Sequence, residues 1–280
     1  MDLFDSILEK ANTPSMDDGK CFTESERLDN IKKLLLESNY VLLKDSGLSF
    51  IYQHKKHKKN KPVILLSCHI DSLYSKYHLC NFNETEILGT FDNSICNAAL
   101  IYLMVKNKLP ANAIIAFTGD EENECRGAKE TIESIRDKYD FLWQNLELVI
   151  VLDITSEGYD NCPFTIENYF VRKNQTDNAR LRFSSKDGFK DHLREKLTQQ
   201  GHVKFIGEDA DPDETWEYDK FDLNCFTFCF PARSHPDNDT TDVGYWMHDD
   251  KGMLIKKENT VKYPEALSTL LHGIMDDFEH

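Results

Sequence analysis

Three short apolar segments, separated by helical patterns, constrain the fold of this chain most. They are VILLSC (63–68), NAIIAFT (112–118) and LELVIVL (146–152). Runs this short and this rich in Val, Ile and Leu are typical of buried strands. The segments 93–107 and 126–138, which lie between them, favour helices. Buried strands that alternate with helices predict an α/β fold, with three α/β/α layers and a mixed, largely parallel central sheet.

The remaining segments predict elements that surround this core. At the N-terminal side we expect a helix over 3–11, a helix from the capping box Thr23–Glu26 to about Ser38, and a hairpin turning at Ser46–Gly47. Further on we expect strands over 86–90, 164–171 and 224–230, helices over 187–200 and from about 260 onward, and an acidic loop over 207–217. We expect one domain over 1–280, on which 1–60 packs and in which 154–223 forms an irregular insertion or lid.

Charge and cysteine content exclude some partners. The chain has 49 acidic and 33 basic residues, a formal net charge of −16, which repels phosphate backbones and excludes nucleic acid as a partner. No apolar stretch is long enough to span a bilayer, so we expect no membrane association, and no secretory signal is visible. Eight cysteines without a C-x-x-C pair favour reduced thiols in a cytoplasmic protein.

A histidine and five carboxylates follow the predicted core strands or precede the buried helix. They are His69, Asp71, Asp92, Glu121, Glu122 and Asp153. Ligands of open α/β sheets bind at the carboxyl ends of the strands, so we expect these side chains to converge on one crevice. Unpaired carboxylates would repel one another there, and one or two divalent cations would remove that repulsion. Mixed histidine and carboxylate ligands suit zinc, with manganese or cobalt as alternatives.

His69 and Asp71 form an H-x-D at the end of the first strand. Residues two apart on an extended chain point the same way, so the imidazole and the carboxylate leave the strand on one side. A metal-bound histidine needs such a carboxylate to hold its second ring nitrogen. A structural histidine in a polar turn is the alternative interpretation of this motif alone.

Along the chain these residues occur in the order H-x-D, D-N, E-E, D, H. This order resembles that of the site residues in the co-catalytic di-zinc metallo-exopeptidase superfamily, which comprises aminopeptidases, related carboxypeptidases and amino-acid deacetylases. TGDEENECRGAKE (118–130) is similar to that family's acidic pair, and GTFDN (89–93) to its bridging-aspartate segment. The resemblance implies the phosphorylase/hydrolase-like zinc exopeptidase fold. The spacings from Asp71 to Asp92 and from Asp153 to His248 are too short for a complete inserted domain, which favours the single-domain aminopeptidase branch.

The resemblance also implies a role for each residue. His69 and Asp153 would bind one metal ion, Glu122 would bind the other, and Asp92 would bridge both. Asp71 would orient the ring of His69. Glu121 would be the general base that takes a proton from the attacking water and returns it to the leaving nitrogen.

One histidine ligand near the C-terminus remains to be assigned, and His235 and His248 are the candidates. We favour His248, because an aromatic residue and Met247 precede it and a short polar segment leads from it to the last helix, as in the family. His235 would then be a surface-loop histidine.

These features predict an aminopeptidase that acts on peptides or small amino-acid derivatives. An N-acyl amino-acid deacylase, a carboxypeptidase and a catalytically silent binding module on the same fold are the alternatives, and a homo-oligomer is open. Candidates for holding the substrate α-amine are Asp213, Glu214 and Asp219. Tyr218 or Tyr245 would stabilise the tetrahedral intermediate, and Arg233 would bind a substrate carboxylate. The alternative for all of these is a solvated, aromatic-rich loop.

Overall fold

A mixed sheet of eight strands forms the centre of the computed structural model, which describes residues 2–14, 25–170, 186–197, 204–205, 213–238 and 247–277. The strands in this part of the chain are β1 (Tyr40–Ser46), β2 (Ser49–His54), β3 (Val63–His69), β4 (Leu79–Asn81), β5 (Glu86–Gly89), β6 (Ala113–Thr118), β7 (Leu146–Thr155), β8 (Thr165–Phe170), β9 (Lys204–Phe205), β10 (Cys225–Pro231), β11 (Arg233–Ser234) and β12 (Met253–Lys256). The helices are α1 (Leu3–Ala11), α2 (Glu26–Leu35), α3 (Ser94–Val105), α4 (Glu121–Glu124), α5 (Arg126–Lys138), α6 (Asp140–Trp143), α7 (Lys186–Lys196), α8 (Thr215–Asp219) and α9 (Asn259–Asp277).

The order of the main sheet is β1-β2-β6-β3-β7-β10-β8-β9. Strands β6, β3, β7 and β10 are mutually parallel. Strands β1 and β2 pair antiparallel to their neighbours, and β8 pairs antiparallel to β10 and parallel to β9. The prediction of a mixed, largely parallel central sheet is therefore confirmed. Because the four central strands run the same way, their carboxyl ends meet at one edge.

Helices cover both faces of this sheet, as predicted for three layers. Along β3, Ile64 and Leu66 contact the core beneath α1, α2, α3 and α9, whereas Val63 and Leu65 contact the core beneath α5, α6 and α8. This alternation follows from the two-residue period of a strand. Each of these side chains is almost completely buried, which stabilises the fold by about 2 kcal/mol per residue relative to exposure.

A second sheet, with the order β11-β12-β5-β4, leads to the predicted site. Strand β5 ends three residues before Asp92, and β12 begins five residues after His248. Gly252 enters β12 with a φ of +76°, and a Cβ atom there would lie 2.5 Å from the carbonyl oxygen of Gly89. Only glycine allows this close approach, so the small sheet joins the two segments tightly.

The predicted ends of helix α2 and of the acidic loop are wrong. Helix α2 begins at Glu26, because the side chain of Ser25 caps it by accepting a hydrogen bond from the Leu28 N–H group (3.2 Å). It ends at Leu35 rather than near Ser38, and Thr23 lies outside the described residues. The end of the predicted acidic loop 207–217 is instead part of α8, and 207–212 is not described. No helix in the described ranges is long and apolar enough to cross a membrane.

Candidate metal centre and active site

His69 is the last residue of β3, and its ring lies among carboxylates at the sheet edge. Its Nε2 atom is 3.2 Å from Asp92 Oδ1 and 3.4 Å from Asp153 Oδ1. Its Nδ1 atom is 3.2 Å from the backbone oxygen of Asp71 and 3.6 Å from Oδ1 of the same residue. Because the side chain is only 1% exposed, these contacts fix the ring orientation.

Asp92 lies between two histidines. Its Oδ1 atom faces His69, and its Oδ2 atom is 3.7 Å from Nδ1 of His248. The Asp92–Asn93 peptide bond is cis. The amide groups of Asn93 and Asn97, at the start of α3, donate to the backbone oxygens of Leu152 (2.7 Å) and His69 (2.9 Å). The buried helix therefore holds the ends of β3 and β7 beside Asp92.

Glu121 and Glu122 begin the one-turn helix α4, and their side chains diverge. The Glu122 N–H group donates to Asp71 Oδ2 (3.2 Å), and Glu122 Oε2 is 3.7 Å from His248 Nδ1. The Glu121 side chain extends in another direction, and its Oε1 atom lies 3.9 Å from the thiol of Cys125.

The turn that carries this acidic pair begins and ends at residues in the left-handed conformation, and an ion pair stabilises it. Asp120 and Cys125 flank α4 in the left-handed region, with φ values of 66° and 51°. Arg126 donates two hydrogen bonds to the Asp120 carboxylate, at 2.5 and 2.7 Å. A bidentate pair of this kind fixes the turn geometry.

The electrostatics of the cluster favour a bound cation. Burial, reinforced by the charge of Asp92, raises the pKa of Glu122 to about 9. Burial and neighbouring carboxylates also raise the pKa of Glu121 and Asp153 above the ordinary range. Burial by itself would also raise the pKa of the Asp92 carboxyl. The contact with His69 has the larger effect, and the pKa of Asp92 is lowered. Repulsion between carboxylates is what a divalent ion would remove.

The donor set fits a metal ion. His69, Asp92 and Glu122 offer ligand atoms that lie within 4.8 Å of one another. Glu122 Oε1 and His248 Nδ1 are buried and have no hydrogen-bond partner among the described residues. Buried polar atoms without partners are costly, so an ion that binds them would stabilise the site.

The structure thus brings together the residues that the sequence predicted for the site. They are His69, Asp71, Asp92, Glu121, Glu122, Asp153 and His248. His235 lies in a different environment, where its ring packs edge-on against Phe82 and its Nδ1 atom accepts a hydrogen bond from the Asp237 N–H group (3.1 Å).

The candidates for substrate binding are engaged in other contacts. Asp213 accepts hydrogen bonds from the N–H and hydroxyl groups of Thr215 and from the Thr227 hydroxyl. Arg233 donates to Glu86 Oε1 (2.6 Å), and its guanidinium lies over the ring of Tyr159. Asp219 is exposed, and Tyr245 lies outside the described ranges.

Glu214 and Tyr218 meet at Ser67, two residues before His69 on β3. The Ser67 hydroxyl donates to Glu214 Oε2 (2.7 Å) and accepts from the Tyr218 hydroxyl (2.8 Å). Both side chains are fully buried. This polar cluster supports the strand below His69, a contact that sequence reasoning missed because Ser67 lies in an otherwise apolar run.

Sequence reasoning also missed Arg27 and Tyr74. Arg27 lies on α2 and donates to the backbone oxygen of Ile70, between His69 and Asp71. In the sequence, Arg27 is only a charged residue next to the apolar positions of an amphipathic helix, and that pattern does not indicate a contact with the site. Tyr74 contacts the backbone of Asp92, and nothing in its sequence neighbourhood indicates this.

The fold is shared with solved structures, among which are aminopeptidases. Aminopeptidase APDkam598 from the archaeon Desulfurococcus kamchatkensis superposes with a TM-score of 0.67 at 10% identity, covering 96% of this chain and 94% of that one. PhTET1-12s, described as a dodecamer in the asymmetric unit, gives 0.65 at 11% identity, with 97% and 99% covered. BSAP, a zinc aminopeptidase from Bacillus subtilis, gives 0.50 at 13% identity, with 80% and 48% covered. At these identities the similarity establishes the fold.

The sequence itself assigns the family. No curated protein matches the chain. Residues 50–242, more than half of the chain, match the model of peptidase family M28. This range includes every predicted metal ligand except His248, together with Asp71 and Glu121. The chain therefore belongs to peptidase family M28.

Proposed function

We propose that this protein is a metal-dependent aminopeptidase that removes N-terminal residues from peptides. The observation that carries the proposal is the position of Asp92, whose two carboxylate oxygens face His69 on one side and His248 on the other. A carboxylate that serves two histidines in this way suits a pair of metal ions.

The donors divide into two groups around Asp92. His69 and Asp153 lie on the Oδ1 side, and Glu122 and His248 lie on the Oδ2 side. We assign each group to one divalent ion. The mixed imidazole and carboxylate donors favour zinc, with manganese or cobalt as alternatives, and a zinc aminopeptidase shares the fold.

Glu121 stays outside this donor set and is the proposed general base. When bound, the ions supply Lewis acidity and lower the pKa of water. Glu121 then takes the proton of the attacking water and donates it to the leaving nitrogen. Asp71 orients residues of the site: its carboxylate contacts the His69 ring and accepts a hydrogen bond from the Glu122 N–H group.

An aminopeptidase is favoured over a carboxypeptidase because Arg233 is engaged with Glu86 and Tyr159. A carboxypeptidase, or a deacylase that acts on N-acyl amino acids, needs a cation for the substrate carboxylate, and Arg233 is the candidate that the sequence suggests for that role. A deacylase remains the alternative that the substrate assay must distinguish.

Three broader features belong to the proposal. We place the protein in the cytoplasm, since the seven cysteines of the described residues are free. We propose that 1–280 form one domain, since α1 and α2 pack into the same core as α3. We also propose a homo-oligomer, as in the dodecamer that shares the fold.

Metal analysis combined with a substrate panel tests the proposal. We expect the purified protein to hold close to two zinc ions and to hydrolyse aminoacyl amides, to lose activity to a chelator, and to regain it with zinc, cobalt or manganese. N-acetylated versions of the same substrates should react poorly, because the free amine is blocked. Preference for the N-acylated substrates would replace the aminopeptidase assignment with a deacylase, and a protein that binds no metal after reconstitution would be a silent module.

A further inference from the structure

The segment 72–78, which follows Asp71, contacts the segment that carries His248. Tyr74 makes the central contact. Its hydroxyl donates a hydrogen bond to the backbone oxygen of Met247 (2.5 Å) and accepts one from the backbone N–H group of Asp92 (3.3 Å). One oxygen atom therefore joins the backbone of Asp92 to the residue that precedes His248.

Asp250 provides a second attachment, two residues after His248. Its carboxylate accepts hydrogen bonds from the N–H groups of Ser75 (2.8 Å) and Lys76 (3.2 Å), and also from the Ser75 hydroxyl. Its backbone oxygen accepts a hydrogen bond from Nε2 of His78 (2.9 Å). The chain is thus held to 72–78 on both sides of His248.

His248 needs this support more than the other histidine does. His69 is the last residue of a central strand, where its backbone pairs with Thr118 of β6 and its backbone oxygen accepts a hydrogen bond from the Asn97 amide (2.9 Å). His248 precedes the short strand β12, and its side chain is 34% exposed. Without its attachments, the imidazole would lose its position 3.7 Å from the carboxylates of Asp92 and Glu122.

We propose that Tyr74 and Asp250 are positioning residues that hold His248 at the metal centre and thereby set the affinity for the ion on the Oδ2 side of Asp92. The inference rests on the proposed function, because it needs a metal at this site. Neither residue belongs to the donor set. Both act through the backbone beside His248, as outer residues that orient metal ligands generally do.

The variants Tyr74→Phe and Asp250→Ala test this proposal, with Tyr77→Phe as the matched control. Tyr77 packs edge-on against Tyr74, but its hydroxyl contacts Ser72. Zinc affinity is measured by competition with a chromophoric chelator, and the bound ions are compared by the absorption spectrum of the cobalt-loaded protein. We expect Tyr74→Phe and Asp250→Ala to weaken one of two binding steps about tenfold to a hundredfold, leaving the other step unchanged. Excess zinc should restore their hydrolysis rates.

The outcomes separate the two hypotheses. If the wild-type protein binds no metal, the proposed function fails and this inference fails with it. If the wild type binds two ions and Tyr74→Phe binds them as tightly as Tyr77→Phe does, only the positioning role is refuted. A loss of both binding steps together, with reduced thermal stability, would also refute it, because that pattern indicates general damage to the fold.

Discussion

Arg27 donates a hydrogen bond to the backbone oxygen of Ile70, with 3.1 Å between Nη1 and the oxygen. Ile70 separates His69 from Asp71, so the guanidinium lies directly behind the proposed metal centre. Arg27 Nε also donates to the backbone oxygen of Thr13 (3.1 Å). Helix α2 precedes residue 50, where the family match begins. The N-terminal segment therefore supports the site from outside the matched range.

Replacing this arginine should destabilise the protein. Arg27→Met leaves the buried carbonyl group of Ile70 and the partly buried carbonyl group of Thr13 without these donors. We expect the free energy of unfolding to fall by about 3 kcal/mol, measured by urea denaturation. Arg136→Met is the control, because Arg136 is exposed and pairs with its neighbour Asp137, and it should change stability by less than about 0.5 kcal/mol. Equal effects of the two variants would contradict the supporting role of Arg27.

Glu121→Gln should abolish turnover without removing the metal. The amide cannot accept the proton of water, so the hydrolysis rate should fall by about 10²- to 10⁴-fold. Metal content, measured by elemental analysis, should stay at the wild-type level because Glu121 lies outside the proposed donor set. Glu124→Gln removes an exposed carboxylate from the same turn and should retain activity. A Glu121→Gln variant with wild-type rates would exclude this residue as the general base.

Gly127→Ala should displace the turn that carries the acidic pair. A Cβ atom at Gly127 would lie 2.4 Å from the oxygen and 2.5 Å from the nitrogen of Gly119, both backbone atoms that cannot rotate away. We expect a loss of about 1–3 kcal/mol of stability together with reduced activity, measured by thermal unfolding and by hydrolysis rate.

Gly273→Ala is the matched control for this steric argument. Gly273 lies within α9, and its nearest neighbour is the flexible Lys196 side chain at 3.0 Å. Alanine there should be neutral or stabilising by up to about 1 kcal/mol, because it favours helix more than glycine does. If both variants behaved alike, close packing at Gly127 would not be the cause.

Glu214→Gln should change how stability depends on pH. Burial raises the pKa of the Glu214 carboxyl to about 7 in the folded protein, against an ordinary value of 4.5, although contacts with Thr118, His69 and Ser67 act in the opposite direction. At pH values between these two pKa values, folding takes up a proton. Protonation of the folded carboxyl stabilises the wild-type protein at low pH, and this stabilisation is lost as the pH rises through about 7. Glutamine stays neutral, so the variant should gain about 3 kcal/mol relative to the wild type between about pH 4 and pH 8.

Chemical denaturation of the metal-free proteins across this pH range measures the difference, since a bound ion would add its own charge. Glu217→Gln serves as the control, because Glu217 is half-buried on the same helix and pairs with Lys220. Because the Glu217 side chain is not fully buried, its replacement should not produce the gain of about 3 kcal/mol that is expected for Glu214→Gln. A Glu214→Gln profile without this gain would show that folding does not raise the pKa of the Glu214 carboxyl.

The core strands could be predicted because their signal is local. The apolar runs at β3, β6, β7 and β10 identified these strands. Strand β6 begins one residue later than predicted, β3 ends one residue later, β7 ends three residues later, and β10 is displaced by one residue. Helix α5 was predicted with its observed bounds. Boundaries set by a cap were less predictable: either Thr23 or Ser25 suits the start of α2, and only the tertiary packing of the helix selects Ser25.

The sequence by itself determined the class of fold and the chemistry at the strand ends. A buried strand must be apolar, so the first polar residues after it, such as His69 and Asp153, mark the sheet edge where ligands bind. The resemblance of the acidic pair and of the H-x-D motif to a metallo-exopeptidase then identified the family, and the match over 50–242 confirmed it.

Only the tertiary structure decided which distant residues meet at that edge. It placed His248 rather than His235 beside Asp92, turned the Asp71 carboxylate toward the Glu122 backbone, and brought Arg27 and Tyr74 against the site. Even the contact with the smallest separation in the sequence, between Tyr74 and Asp92, joins residues that are 18 positions apart. They depend on how whole elements pack, which no local periodicity encodes, so the sequence could predict the reactive groups but not the framework that holds them.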